Sequence, residues 1–181
     1  MPMRRITIVT SLMLTICTIT AQEGTHPFSA YPAGTKFIHK NLVTLNGDGI
    51  ESSTLDSSVV WYNFWHTRCK PCIMEMEELN RIALEYKDNP KVKFKAIACD
   101  DSASVAEFLK THRFGFQIVA LPKTDFLNTF RVSLFPTNLL VDASQTVVCE
   151  KIGGTLSAED VRDELLEFLE QLERLALEVK R

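Results

Sequence analysis

Cys69 and Cys72 stand two residues apart in the run Phe64-Trp65-His66-Thr67-Arg68-Cys69-Lys70-Pro71-Cys72. At the start of a helix, that spacing lets two thiols close a small disulfide and reopen it with little backbone movement. The first cysteine then faces outward at the helix N-terminus, where the aligned peptide dipoles favour thiolate over thiol. Thiolate is the attacking species in disulfide exchange. Arg68 and Lys70 flank Cys69 and act in the same direction, weakened by solvent. Pro71 suits a first helical turn, where its missing N–H would have had no partner. The expected roles are nucleophile for Cys69 and resolving thiol for the more buried Cys72.

Two other chemistries use the same pair. A Cys-x-x-Cys can be half of a zinc site, but no second pair follows. Cys99, Cys149 and the four histidines also lack ligand spacing. A purely structural disulfide across so short a loop would constrain the unfolded chain little.

The elements that must position the pair are visible on both sides of it. Residues 59–65 (VVWYNFW) form an apolar run broken only by Asn63, as in a strand covered on both faces. Ile73, Met76, Leu79 or Asn80, Ala83 and Tyr86 then recur at helical spacing, up to a stop at Asp88-Asn89-Pro90. Upstream, residues 37–45 and 50–55 read as hairpin strands joined at Asn46-Gly47-Asp48-Gly49, residues that tolerate positive φ. Downstream come a strand over 93–98, a helix over 102–112 with Val105, Phe108 and Leu109 inward, a strand over 117–121 and a short helix over 125–130. Residues 139–142 and 146–151 make a strand pair that turns at Ala143-Ser144-Gln145.

After Gly153-Gly154 one long helix is expected, with Ser157 as N-cap and Asp160 closing a capping box. Its stripe is Val161, Leu165, Phe168, Leu169, Leu172, Ala176 and Val179. This order defines an α/β domain with a mixed central sheet, and the cysteine pair sits where a buried strand passes into a helix.

The 181 residues, 45% of them apolar, make one ordinary domain plus a short extra segment. A net charge of −3 and the lack of a basic stripe argue against nucleic acid as a partner. Residues 1–21 read as a secretory signal, with Arg4 and Arg5 ahead of an apolar run over 6–19 and Ala21 at the cut. That run is shorter than the roughly 20 residues that span a bilayer, so no stable membrane span is expected in the mature chain.

Cys17 raises lipidation, but Ile16 stands where a lipobox needs a small residue; an uncleaved anchor is the other alternative. Residues 22–34, rich in Pro, Ser, Gly and Ala, read as a linker, and 35–181 as the domain. The cysteines left after cleavage would meet an oxidising compartment, where a close pair is chemically loaded.

Residues 34–172 resemble the extracytoplasmic thioredoxin-like thiol–disulfide oxidoreductases of the TlpA/ResA type, relatives of the cytochrome c maturation thioredoxins. The hairpin turn, Asn63-Phe64-Trp65 before the cysteine pair, Phe135-Pro136-Thr137 before Leu139-Leu140-Val141-Asp142, and Gly153-Gly154 carry the likeness. It implies a thioredoxin fold: a central mixed β-sheet flanked by helices, with an N-terminal β-hairpin extension and a long C-terminal helix. Pro136 would be cis and lie against the disulfide, and the Phe135 backbone would pair with an extended substrate segment. Trp65, Arg68 and Pro71 would complete the substrate surface.

The resemblance makes Glu75 the proton acceptor for Cys72. The alternative is a solvated first-turn acid beside Glu77 and Glu78. It implies no cofactor beyond the redox-active Cys69–Cys72 disulfide, and no metal. Partners would be disulfide-bearing proteins and a membrane-bound thiol protein that donates electrons, in the periplasm or otherwise outside the cytoplasm.

Three departures stand out. Arg68 replaces the family's usual Trp, His66 its Ala or Gly, and Glu77 a Pro that often kinks the first helix. Asn63 stands where cytoplasmic thioredoxins bury an Asp. In the thioredoxin sheet order Cys99 and Cys149 lie about 14 Å apart, at about 4.8 Å per strand. A disulfide needs Cα atoms within about 7 Å, so these two are expected to stay unpaired with each other.

The main rival function is a peptide- or copper-binding module without turnover. His66 is its local extra ligand, with Met74 and Met76 more simply helix residues. A disulfide-forming oxidant and a thiol peroxidase are lesser rivals. A peroxidase wants a Thr three residues before a lone cysteine, and Cys69 has His66 there.

Overall fold

The described chain, residues 28–178 of a computed structural model, begins docked rather than loose. Residues 28–34, expected to end a linker, are gathered by the carboxylate of Glu150. It accepts from the Ser29 hydroxyl and from the N–H groups of Ala30 and Tyr31, the latter two at 3.1 Å. Gly34 N–H adds a bond to the Val147 carbonyl at 2.8 Å. The expected signal at residues 1–21, with Cys17, lies outside the described residues, as does Val179.

The hairpin forms, but its strands shrink to β1 (Leu42–Val43) and β2 (Gly49–Ile50), with Gly47 at φ 88° in the turn. The returning strand expected over 50–55 is replaced by a 3-10 turn, Ser52–Thr54. Local hydroxyl and amide side chains outcompete the ladder there. Thr54 Oγ1 donates to the Glu51 carbonyl, and Ser52 N–H donates to Asn41 Oδ1, both at 2.7 Å.

β3 (Val59–Trp65) is buried at every position and is the axis of the main sheet. β4 (Val92–Ala98) pairs with it in parallel, and β5 (Gln117–Ala120) with β4. On the other side β6 (Thr137–Val141) and then β7 (Val147–Ile152) run antiparallel, giving the order β5-β4-β3-β6-β7.

Alternation along β3 divides the core. Trp61 and Trp65 face α1 (Lys70–Glu85) and the C-terminal helices, with Met76, Leu79, Phe168 and Leu172. Tyr62 and Phe64 face the opposite layer, with Phe37, Phe126, Phe130 and Leu139. Each such side chain fully buried contributes about 2 kcal/mol.

The helices differ from expectation in phase and in length. α1 buries Cys72, Glu75, Met76, Leu79 and Ile82, whereas Ile73, Ala83 and Tyr86 are only half-buried. The cap at Cys69 sets this phase, turning Cys72 toward the sheet. α2 (Ser102–Phe108) starts from an Asp101 cap that accepts the Ser104 N–H at 2.8 Å. It ends four residues early, because Lys110 and Thr111 bond three residues back rather than four. α3 (Lys123–Thr129) covers the layer opposite α1.

The expected long C-terminal helix is two: α4 (Val161–Glu164) and α5 (Leu166–Glu178). Leu165 N–H is shared between the carbonyls of Val161 and Arg162, both at 3.1 Å, which tightens that turn. The Ser157 capping box is absent, and Asp160 caps without a side-chain bond. The stripe's described members from Val161 to Ala176 are buried as expected, with Leu175 added to them. Among the described residues no helix is long and apolar enough to cross a membrane.

Candidate active site

The site forms where β3 hands over to α1. The loop between them is held on both sides. Thr67 N–H donates to Asp100 Oδ2 at 2.7 Å, and Arg68 N–H to His66 Nδ1 at 3.3 Å. Cys69 is the N-cap of α1, and its Sγ accepts the Cys72 N–H at 3.3 Å. Cys69 and Cys72 are joined as a disulfide, with Cα atoms 5.2 Å apart. The spacing predicts an outward-facing Cys69, yet it is 5% exposed against 1% for Cys72. The order of accessibility holds, but in this oxidised form only a small part of Cys69 reaches solvent.

The Phe135–Pro136 peptide is cis, and Pro136 is buried beside the start of α1. Gly154 shows how close the two prolines come. A Cβ there would fall 3.1 Å from Pro136 Cγ and 3.4 Å from Pro71 Cβ, so a side chain would force the Pro136 ring to give by a few tenths of an ångström. Gly153, at φ 83°, donates its N–H to the Pro136 carbonyl at 2.8 Å. Phe135 is half-buried and meets the His66 ring edge-on at 5.2 Å. His66 therefore braces the loop, and burial holds its imidazole below the usual pKa.

Arg68 and Lys70 are exposed around this rim and Pro71 is half-buried in it. Trp65, expected on the substrate surface, is not there. It is fully buried against Phe108 and Phe114, because its position in β3 points it into the core below the loop.

Beneath the disulfide lies a closed polar network. Glu75, one turn along α1 from Cys72, is 3% exposed, which overturns the solvated-acid reading. Asn63 Nδ2 donates to Glu75 Oε1 at 2.6 Å and to Asn138 Oδ1 at 3.0 Å. Asn138 Nδ2 donates to Glu75 Oε2 at 3.2 Å, and Trp61 Nε1 to Asn138 Oδ1 at 2.9 Å. Burial raises the Glu75 pKa to about 7, opposed by the bond from Asn63, the charge of Lys151 and the bond from Asn138. A carboxyl poised there can take or give a proton at neutral pH.

Asn138 and Trp61 were not among the sequence candidates. The available signal was a lone Asn in the apolar strand after Pro136, which the register places opposite Asn63.

Cys99 follows β4 and Cys149 lies on β7, three strands away, and the two do not pair. No group of three or more potential metal ligands comes together among the described residues.

A cysteine pair at the start of a helix, with a cis-proline that meets the same glycine as Pro71 of that helix, on this five-stranded sheet, defines a thioredoxin-fold disulfide-exchange protein. The AhpC/TSA family pattern matches residues 33–149. A thiol-disulfide oxidoreductase ResA from Bacillus cereus is 33% identical over 132 residues, covering 72% of this chain and 73% of that one. The protein of the same name from Bacillus subtilis is 29% identical over 171 residues, covering 88% and 91%.

Among solved structures, the thioredoxin domain of a thiol-disulfide oxidoreductase from Bacteroides vulgatus superposes with a TM-score of 0.63 at 19% identity, covering 77% of this chain and 96% of that one. A thiol:disulfide interchange protein from Bacteroides sp. gives 0.64 at 18% identity, covering 79% and 91%, so these structures support the fold. The chain belongs to the AhpC/TSA family and is a thiol–disulfide oxidoreductase.

Proposed function

We propose that this protein reduces disulfides of partner proteins outside the cytoplasm. The reduced Cys69 thiolate attacks one sulfur of a partner disulfide, forming a mixed disulfide and releasing the partner's other sulfur as thiolate. Cys72 then gives its proton to the Glu75 carboxylate and attacks Cys69 Sγ, which expels the second partner thiolate. Two electrons have passed to the partner, and Cys69–Cys72 is left oxidised. A membrane-bound thiol protein restores the dithiol.

Glu75 carries this reading. A carboxyl buried one turn from the resolving cysteine, poised near neutral pH, is the base that the second attack needs. The substrate segment lies along Phe135 and the cis Pro136, with Arg68 and Pro71 at its edge, and Trp65 supports the loop from below. Location outside the cytoplasm rests on the signal character of residues 1–21.

Direction of electron flow is tested by equilibrating the Cys69–Cys72 couple against a defined thiol buffer. A reductant lies toward the thioredoxin end of the range, about −270 mV; a value above about −150 mV, toward the strong oxidant DsbA, would contradict the proposal.

A further inference from the structure

The polar row under the disulfide does not stop at Asn138. Asn63 on β3 lies opposite Asn138 on β6, and Asn138 lies opposite Lys151 on β7. Directly opposed residues share a face of the sheet, so Lys151 continues the row on the side that carries Glu75. Its side chain is 19% exposed, and its Nζ donates to the Gly153 carbonyl at 2.7 Å and to Glu164 Oε2 at 2.8 Å. Glu164 also accepts the Thr155 N–H at 3.1 Å, so one carboxylate of α4 fixes both the lysine and the loop segment after Gly153-Gly154.

We propose that Lys151, clamped by Glu164, is a positioning residue whose ammonium group governs how readily Glu75 gives and takes its proton. This inference rests on the reading of Glu75 as the proton acceptor for Cys72.

The charges that act on Glu75 come from two elements. Lys151 on β7 favours its ionised form, and Glu164 on α4 disfavours it. β3 and β6 face it only with neutral groups, Asn63 and Asn138. On its own helix Cys72 lies one turn back, and Glu78, further on, is committed to Arg81 and Arg162. Among the described residues the cation is thus the charge that favours ionisation in a site whose burial opposes it, and its share is moderated by its own salt bridge. The same bonds hold the Gly153-Gly154 turn against Pro136, so acid strength and active-site closure depend on one side chain.

A merely structural Lys151–Glu164 bridge would predict the same effect from losing either end. An electrostatic role predicts opposite effects. The test is a carbon-13 titration of the Glu75 carboxyl in the oxidised protein, assigned by the signal that Glu75→Gln removes. It is run beside the pH profile of disulfide exchange. Lys151→Met is expected to raise the proton affinity of Glu75 about threefold, Glu164→Gln to lower it by a similar factor, and Lys151→Arg to keep it near the parent value.

Thermal unfolding of each variant shows that the fold is retained, and Lys151→Gln serves as a second neutral variant. Unchanged midpoints, or shifts of the same sign in Lys151→Met and Glu164→Gln, would overturn the proposal. If Glu75→Gln still alters the pH profile, the role of Glu75 survives that failure. If Glu75→Gln leaves the profile unaltered, the role of Glu75 fails and this inference with it.

Discussion

Cys69→Ser is expected to abolish turnover in an insulin-disulfide reduction assay, by at least about 10³-fold, leaving the rate of the assay's own reductant. A serine hydroxyl at the cap of α1 can still accept the Cys72 N–H, so the fold persists while the nucleophile is lost. Among the described residues, neither cysteine outside the pair is placed to stand in for it. Cys99 is half-buried and burial pushes its thiol pKa up, and Cys149 is buried on β7. Cys99→Ser therefore keeps the parent rate. Equal activity in Cys69→Ser and the parent would refute the assigned nucleophile and favour a protein that works without exchanging disulfides.

Glu75→Gln has the second large effect, and it acts in opposite directions on stability and rate. The folded protein holds the Glu75 proton up to about pH 7, against an ordinary value of 4.5. The contribution of this group to stability is complete below pH 4.5 and is lost as pH rises through 7. The loss amounts to about 3 kcal/mol at pH 8, at 1.36 kcal/mol per tenfold change in proton affinity.

Glutamine keeps an oxygen for Asn63 and carries no charge to desolvate. The variant should match the parent near pH 4 and exceed its unfolding free energy by about 3 kcal/mol at pH 8. The rate at which the mixed disulfide resolves should fall by about 10²-fold or more, the usual share of a positioned base. A variant that is less stable at both pH values would show that Glu75 is held for structure alone.

The chemistry of the site was legible because it depends on local features. The Cys-Lys-Pro-Cys spacing and the apolar strand before it carry their geometry in adjacent residues, whereas the cis geometry of Pro136 came only from the family resemblance. Glu75 was legible through the resemblance, and its distance along the helix only set it near Cys72.

What escaped depends on pairings between distant segments. Asn138 reaches Glu75 only through the β3–β6 register, and Glu150 captures residues 29–31 from about 120 positions away. Trp65 lies away from the substrate surface that the resemblance implies for it, because its position in the strand sends it inward. The phase of α1 could not be set from its apolar residues, since the buried face carries a cysteine and a glutamate. A polar group paired in the core is indistinguishable, in one sequence, from a polar group on the surface. The turn at Leu165 likewise depends on which carbonyls its N–H reaches, and the stripe of α4 and α5 is continuous through it.

The most direct test of Cys69 as nucleophile and Cys72 as resolving thiol is a trapping measurement. Cys72→Ser, reduced and mixed with a disulfide-bearing protein, should accumulate one covalent partner per chain. Mass spectrometry of the non-reduced digest should place that partner on the Cys69 peptide, and Cys69→Ser should trap far less. A partner found on Cys99 or Cys149, or equal trapping through Cys72 in Cys69→Ser, would contradict the account.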